Sequence, residues 1–286
     1  MTPMKAIILI LIALLLATAF YNGLVVRQYT ITTPKLLAGQ SFRIVLISDL
    51  HSTIHGAEQS KIADRIRNQN PDMIALAGDI ADDKQPIKGT ILFLEAIKDI
   101  APVFYVTGNH EIWSRDVDSI KDVFRSYGVT VLENETVEVF IGDVPLIIGG
   151  AEDPDINRYE RRPLAWKDEV NEAFSGMKDT ESFRLLLSHR PEQISVYEDL
   201  SFDLVLSGHS HGGQVRIPFL LNGLLAPNQG FFPKYAGGLY EHDNFTQVVS
   251  RGVSFNPRLP RVFNPPEIVV IDVVGQLTGL FDSDGV

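Results

Sequence analysis

Short apolar runs alternate with amphipathic segments along most of the chain. Runs rich in Val, Ile and Leu, bounded by glycine, proline or polar residues, predict buried strands. These runs lie at residues 43–47, 73–77, 103–106, 183–187 and 202–206, with shorter ones at 129–132, 137–140, 146–148, 245–249 and 268–271. Apolar residues at helical spacing predict helices at residues 58–68, 91–97, 117–127 and 162–174. This alternation is typical of an α/β fold.

The N-terminal segment has a different pattern. Residues 6–26 carry no charge, and a run of 21 such residues is long enough to span a bilayer as a helix. The sequence therefore predicts an anchor at residues 1–26, a catalytic domain at 27–286, and a single-pass protein of the inner (cytoplasmic) membrane. A cleaved signal peptide, with the small-x-small pattern at residues 17–19, and a buried core helix are the alternatives. Basic residues flank the run on both sides, so the orientation stays open.

Length and composition limit the class of protein. A chain of 286 residues can bury a sizeable core as one large domain or two small ones. The net charge of −11 argues against a nucleic-acid partner held through its phosphates. The absence of cysteine excludes disulfides and thiolate ligands, so any metal must be held by His, Asp, Glu or Asn.

Polar residues of metal-ligand type follow five of the predicted strands. They are Asp49 and His51, Asp79, Asn109 and His110, His189, and finally His209 and His211. Taken alone, each residue also fits a turn cap or a buried core histidine. The carboxyl ends of neighbouring strands gather at one edge of an open α/β sheet, so together these residues predict a shared metal site.

The same motifs resemble those of the calcineurin-like metallophosphoesterases, in order, over residues 43–271. The glycine-rich stretch 207–214, the segment 128–135 and the apolar N-terminus resemble a bacterial membrane-anchored subgroup. The resemblance implies a four-layer α/β/β/α sandwich with two sheets face to face, here preceded by a transmembrane helix.

The resemblance also implies a site for two divalent metal ions, Mn, Fe or Zn. Metal one takes Asp49, His51, Asp79 and His211, and metal two takes Asp79, Asn109, His189 and His209. Asp79 bridges the two ions. Mixed nitrogen and oxygen ligands suit these transition metals better than Ca²⁺.

The expected chemistry is hydrolysis of a phosphoester or pyrophosphate. Two divalent ions about 3.5–4 Å apart can share a bridging hydroxide and clamp both oxygens of an in-line displacement. By resemblance, Asp79 and His110 are the catalytic residues, with His110 either donating a proton to the leaving oxygen or stabilising charge on the phosphoryl group. Asn109, His110 and Arg251 are expected to bind substrate. For Arg190, Arg258 and Arg261, a phosphate contact and a purely structural or surface role both remain open.

An apolar insertion follows the last histidine, between Gln214 and Tyr240. It is expected to form either a lid packed on the domain or a surface that contacts the bilayer or acyl chains. Together with a membrane anchor, a surface that contacts the bilayer or acyl chains would favour a phosphorylated lipid over a small soluble phosphoester as substrate. The membrane-linked members of the family suggest UDP-2,3-diacylglucosamine of the lipid A pathway. The alternatives are an exported phosphatase or phosphodiesterase acting on soluble or cell-wall esters, and a non-catalytic metal-binding scaffold.

Overall fold

The computed structural model describes residues 2–177, 181–255 and 259–276. Its helices are α1 (Pro3–Ala19), α2 (Ser60–Arg67), α3 (Lys88–Ile97), α4 (Asn109–Trp113), α5 (Val117–Ser126), α6 (Asp155–Glu160), α7 (Trp166–Phe174) and α8 (Ile194–Tyr197). Its strands are β1 (Val25–Thr33), β2 (Ser41–Ile47), β3 (Met73–Ala77), β4 (Val103–Val106), β5 (Thr130–Val131), β6 (Glu135–Ile141), β7 (Val144–Ala151), β8 (Phe183–Ser188), β9 (Leu204–Ser207), β10 (Leu225–Ala226), β11 (Gly230–Phe231), β12 (Gly238–Glu241), β13 (Thr246–Val249) and β14 (Glu267–Gly275). Every helix and strand predicted from residue 43 onward coincides with one of these elements.

The strands form two six-stranded sheets and a small hairpin of β10 and β11. The first sheet has the order β1-β14-β2-β3-β4-β5, in which β2 to β5 run parallel and β14 runs antiparallel to β2. The second has the order β12-β13-β9-β8-β7-β6, with β13, β9, β8 and β7 parallel. In each sheet the parallel strands therefore direct their carboxyl ends to one edge.

The two sheets pack face to face between two layers of helices. Side chains alternate across a strand, so Ile44 and Leu46 of β2 point to the shared core, where they join Leu185 and Leu187 of β8. Val45 of β2 points outward to the core formed with α2, α3 and α5. Helices α7 and α8 cover the outer face of the second sheet. The four-layer α/β/β/α prediction is confirmed.

The N-terminal apolar stretch forms a shorter helix than predicted. Helix α1 ends at Ala19, and Val25 and Val26, which the predicted span included, begin β1. They pair in parallel with Glu267 and Ile268, because β14 offers an open edge there. Among the helices of the described ranges, none is both long and apolar enough to cross a membrane, so the predicted transmembrane helix is not found.

Candidate metal centre

The loops after β2, β3 and β4 of the first sheet meet those after β8 and β9 of the second. The backbone N–H of Asp49 donates to the carbonyl oxygen of Gly78 at 3.1 Å, which joins the loops after β2 and β3. Across the two sheets, the backbone N–H of His209 donates to Oδ1 of Asp49 at 3.1 Å. The five strand ends that carry the predicted ligands therefore form one cluster.

One group of candidate ligands consists of Asp49, His51 and His211, whose ligand atoms lie within 4.8 Å of one another. Nε2 of His211 is 3.5 Å from Oδ1 of Asp49. The imidazole rings of His51 and His211 stack with centroids 5.2 Å apart. These residues come from the loops after β2 and β9, as predicted for metal one.

A second group consists of Asp79, His189 and His209. Oδ2 of Asp79 lies 3.1 Å from Nε2 of His189, and that nitrogen lies 3.2 Å from Nδ1 of His209. The same Oδ2 is 3.9 Å from Nε2 of His51, which belongs to the first group. Asp79 thus stands between the two groups, where a bridging ligand is expected.

The remaining predicted ligand, Asn109, is the first residue of α4 and is 2% exposed. Within the described residues, its Oδ1 is buried and has no hydrogen-bond partner. A buried carbonyl oxygen without a partner is costly unless something absent from the protein itself satisfies it. The orphaned oxygen and the nitrogen and oxygen donors around it fit a transition-metal pair.

Electrostatics keep the shared carboxylate charged. Burial by itself raises the pKa of Asp79, but the charge of His189 and its hydrogen bond outweigh burial and hold the pKa well below its usual range. An ionised carboxylate offers lone pairs on both oxygens, which is the form that a bridging position requires.

Five of the candidate ligands have a left-handed backbone. Asp49, His51, Asp79, His209 and His211 have φ angles of 53°, 47°, 53°, 67° and 46°. Each such non-glycine residue costs roughly 1–3 kcal/mol and persists only where the surroundings impose it. This clustering of backbone strain is typical of functional sites.

Glycine is required where two of these loops touch. A Cβ at Gly108 would lie 2.3 Å from Oδ1 of Asp79, and one at Gly78 would lie 2.6 Å from Nδ1 of His189. Both are closer than real Cβ contacts allow. These two glycines let ligand side chains approach the backbone of the neighbouring strand end.

Glu111, which was not predicted from sequence, organises the same loops. Its carboxylate accepts hydrogen bonds from the backbone N–H groups of Asp79 at 2.9 Å, Ala81 at 2.8 Å and Gly108 at 2.8 Å. It is the third residue of α4, where a glutamate can accept the N–H of the residue that precedes the helix. The spacing Gly-x-x-Glu was the available signal.

His110 lies beside the two groups and is held by two carboxylates that were also missed. Its Nδ1 is 2.7 Å from Oδ1 of Asp83 and 3.3 Å from Oδ2 of Asp82. Burial by itself lowers the pKa of His110, but Asp82, Asp79 and Asp83 outweigh it and raise the pKa to about 9. With Nδ1 bound to carboxylates, Nε2 is the nitrogen left for a substrate.

The arginines named from the sequence differ from one another in their surroundings. Nε of Arg251 lies 3.4 Å from a carboxylate oxygen of the buried Glu267, so its substrate contact stays a prediction. Nη2 of Arg261 lies 3.5 Å from Nδ1 of His211, which places this guanidinium beside the first group. Arg190 binds Asp153 through two hydrogen bonds of 2.5 and 2.8 Å. Arg258 lies outside the described residues.

The apolar insertion begins beside the last two histidines, and its tips are open to solvent. Phe219, Leu220, Phe231 and Phe232 are 107%, 85%, 70% and 70% exposed, so these side chains do not pack as a lid. Near the base, Val215 bridges to Val262. The backbone N–H of the next residue, Phe263, donates to the carbonyl oxygen of Ala19 at 2.7 Å. The base of the insertion therefore lies beside the end of α1.

Comparison with known proteins gives consistent matches. An uncharacterised metallophosphoesterase of Campylobacter jejuni is 30% identical over 262 residues, covering 88% of this chain and 63% of that protein. The chain thus spans less than two thirds of that relative's length. A protein of Escherichia coli named a phosphodiesterase is 28% identical over 240 residues, or 82% of each chain. A 5'-nucleotidase precursor from Thermus thermophilus is similar in fold, with a TM-score of 0.51 and 14% identity over 82% of this chain and 54% of that one.

A family model described as calcineurin-like phosphoesterase matches residues 42–213, which is more than half of the chain. The matched segment contains all seven candidate ligands and His110. On the strength of this match and the relatives' similarity, the chain belongs to the calcineurin-like phosphoesterase family.

Proposed function

We propose that the chain is a two-metal phosphoesterase that hydrolyses phosphate esters at the cluster of strand-end loops. The observation that carries this proposal is the position of Asp79, whose Oδ2 lies 3.1 Å from His189 and 3.9 Å from His51. One ionised carboxylate between two histidine groups is the arrangement that two neighbouring cations need. The orphaned Oδ1 of Asn109 supports the same assignment.

The residues divide into two overlapping ligand sets. Asp49, His51, Asp79 and His211 would hold one ion, and Asp79, Asn109, His189 and His209 the other. When bound, such ions supply Lewis-acid activation of water and neutralise charge on the phosphoryl group. The donor types favour Mn, Fe or Zn.

His110 carries the proton chemistry in this proposal. The carboxylates of Asp82 and Asp83 contact its Nδ1, so they orient the ring and stabilise its protonated form. The protonated Nε2 can then donate to the leaving oxygen of the ester or stabilise charge on the phosphoryl group. The backbone N–H of His110 donates to Oδ1 of Asp79 at 2.8 Å, which ties the acid to the metal ligands.

The test is metal stoichiometry combined with hydrolysis of a chromogenic phosphodiester after loading with Mn²⁺. We expect two ions per chain in the unaltered protein. Asp79→Ala should lose both ions and several orders of magnitude of activity, whereas Asn109→Ala should weaken only one ion. Asp64→Ala makes the same change at an exposed carboxylate of α2 and should behave like the unaltered protein.

Two outcomes would overturn the proposal. Full activity with fewer than one bound transition metal per chain would exclude a two-metal site. Two tightly bound ions with no turnover of any phosphomonoester, phosphodiester or pyrophosphate would indicate a metal-binding scaffold instead of an enzyme.

A second, finer candidate is that the phosphate group is carried by an acylated molecule. The observation that favours it is the set of exposed apolar side chains at Phe219, Leu220, Phe231 and Phe232, on an insertion that starts three residues after His211. Exposed apolar groups next to a reaction centre favour a substrate with hydrocarbon chains. A substrate panel comparing soluble phosphodiesters with acylated ones, UDP-2,3-diacylglucosamine among them, tests it. Equal kcat/KM values for soluble and acylated substrates would contradict the proposal that the substrate is acylated.

A further inference from the structure

The two ring nitrogens of His209 face different partners. Nδ1 lies 3.2 Å from Nε2 of His189, on the side of the ligand cluster. Nε2 lies 2.8 Å from Oδ1 of Asn228, a residue of the insertion. A neutral imidazole has one N–H donor and one lone pair. For Nδ1 to direct its lone pair at a metal ion, the proton must therefore sit on Nε2.

A guanidinium competes for that same nitrogen. Nη1 of Arg190 lies 3.3 Å from Nε2 of His209, and it donates to Oδ1 of Asn228 at 2.7 Å. Two hydrogen bonds to Asp153 fix the position of Arg190. Because a guanidinium has only donors, Arg190 alone would favour a lone pair on Nε2 and a proton on Nδ1. That tautomer cannot bind a metal through Nδ1.

We propose that Asn228 is a positioning residue for the second metal ion. Its side-chain oxygen accepts from Arg190 and from His209 together, so it holds the proton on Nε2 and leaves the lone pair of Nδ1 for the ion. This inference rests on the proposed two-metal function. It also makes the insertion part of the metal centre, since the residue that sets the tautomer of a ligand belongs to the same segment as the exposed apolar tips.

The local backbone favours this use of asparagine. Asn228 lies between β10 and β11 with φ of 60°, a conformation that asparagine adopts more readily than most residues. The neighbouring Gln229 fixes the turn, because its Oε1 accepts from the backbone N–H of Tyr235 at 2.9 Å. Replacement of Asn228 by glycine would remove the acceptor without straining the backbone.

The experiment compares Asn228→Gly with Asn228→Asp, which keeps an oxygen acceptor in a residue that also tolerates positive φ. Asn70→Gly is the matched control, since it makes the same change at φ 48° in an exposed turn after α2. Apoprotein is titrated with Mn²⁺, and the two dissociation constants are measured. We expect Asn228→Gly to weaken one ion by roughly 10–100-fold, the usual cost of losing a partner behind a metal-binding histidine. The other ion, the aspartate variant and the control should be unaffected.

A spectroscopic readout separates positioning from a general structural role. In Zn²⁺-loaded protein labelled with ¹⁵N-histidine, His209 should show a protonated Nε2 in the unaltered chain and in Asn228→Asp, and lose that signature in Asn228→Gly. If Asn228→Gly keeps both dissociation constants and the Nε2–H tautomer, the inference is wrong while the two-metal proposal stands. If the unaltered chain does not bind two ions, both are wrong.

Discussion

Asp82 links two histidines that have different roles in the site. Its Oδ2 lies 3.1 Å from Nδ1 of His51, a candidate metal ligand, and 3.3 Å from Nδ1 of His110, the candidate acid. Its other oxygen accepts from the backbone N–H groups of Lys84 at 2.9 Å and Gln85 at 2.7 Å. One fixed carboxylate therefore orients both rings, which couples metal binding to the position of the acid.

Replacing His110 with asparagine should separate these two functions. The variant removes the proton donor but none of the predicted ligands, so kcat should fall by roughly 10²–10⁴, the range for a lost general acid, while two ions remain bound. Activity on a chromogenic diester and metal content of the same preparation are the measurements. Loss of an ion in this variant would show that His110 is a ligand and would contradict its role as acid.

The sequence predicted the ligands better than their partners, for a physical reason. Asp49, Asp79 and His189 each follow a continuous apolar run, so the strand and its functional end are visible together. Asp83 and Asn228 follow no such run. Their positions depend on how a loop or insertion folds back onto the cluster, and that is decided by tertiary contacts that no local pattern encodes.

A histidine outside the cluster should give folding stability a dependence on pH. Burial, together with the charges of Lys61 and Arg65, lowers the pKa of His55 below its ordinary value of 6.5, against the opposing hydrogen bond to Val253. Its Nε2 has no hydrogen-bond partner among the residues that the structure describes. The folded state thus resists protonation, and the unfolded state accepts it.

The direction of the pH effect on stability follows from this difference in proton affinity between the folded and unfolded states. As the pH falls below 6.5, protons bind preferentially to the unfolded chain, so the contribution of neutral His55 to stability decreases until the folded pKa is passed. His55→Gln should therefore lose less Tm than the unaltered protein between pH 7.5 and 5.5. Melting curves of both proteins across that range measure the difference between their Tm values. A difference in Tm that stays constant with pH would contradict the prediction.

At the scale of elements, α4 holds together the loops that follow β3 and β4. Its Glu111 accepts hydrogen bonds from three backbone N–H groups of the two loops, and so pairs donors that lie inside the buried cluster. The helix is only five residues long, so its place is set by these bonds more than by its own propensity.

Glu111→Gln should weaken the hydrogen bonds that hold these two loops together. An amide replaces one acceptor oxygen with a donor, which then faces backbone N–H groups that need an acceptor. We expect up to about 3 kcal/mol of lost stability, the scale of leaving a buried N–H donor without an acceptor, together with weaker Mn²⁺ binding. Chemical denaturation and metal titration measure the two effects. Glu58→Gln, at an exposed position before α2, is the control. Unchanged unfolding and unchanged binding would show that Glu111 does not support the site.

The strands that sequence patterns missed include β1 and β12, each at an edge of its sheet. β1 has the sequence VVRQYTITT, in which polar residues predominate, and it lies at the edge of its sheet beside β14. The inner strands β3, β8 and β9 are buried along their whole length, and apolar residues predominate in each of them. The pattern of hydrophobicity thus defines the inner strands of each sheet, but only two of the four edge strands, β5 and β6.

Over the whole molecule, two exposed apolar features lie close together at the metal end. Helix α1 is apolar on every face, with Ile7, Leu11 and Leu15 all more than half exposed. Its last residue, Ala19, accepts a hydrogen bond from the backbone N–H of Phe263, and the neighbouring Val262 pairs with Val215 at the base of the insertion. A partner protein or a second copy would cover one side of such a helix. Exposed apolar side chains on both features favour contact with a lipid surface, so we expect α1 and the insertion to bind such a surface together.

The corresponding prediction is that the full chain binds lipid vesicles through both features. Burial of two Leu or Phe side chains contributes about 3–6 kcal/mol, so Phe219→Ser with Phe231→Ser should weaken vesicle binding more than tenfold. Deletion of residues 2–22 should weaken it further and still leave β1 intact, because that strand begins at Val25. Phe140→Ser is the matched control, since this phenylalanine is 74% exposed on the hairpin of β6 and β7. That hairpin lies at the edge of the second sheet opposite to β12, the strand in which the insertion ends. Flotation with anionic phospholipid vesicles measures binding, and hydrolysis of a soluble diester shows that each variant is folded. If the double variant floats as well as the control does, the insertion does not contact lipid, and the case for an acylated substrate loses its main support.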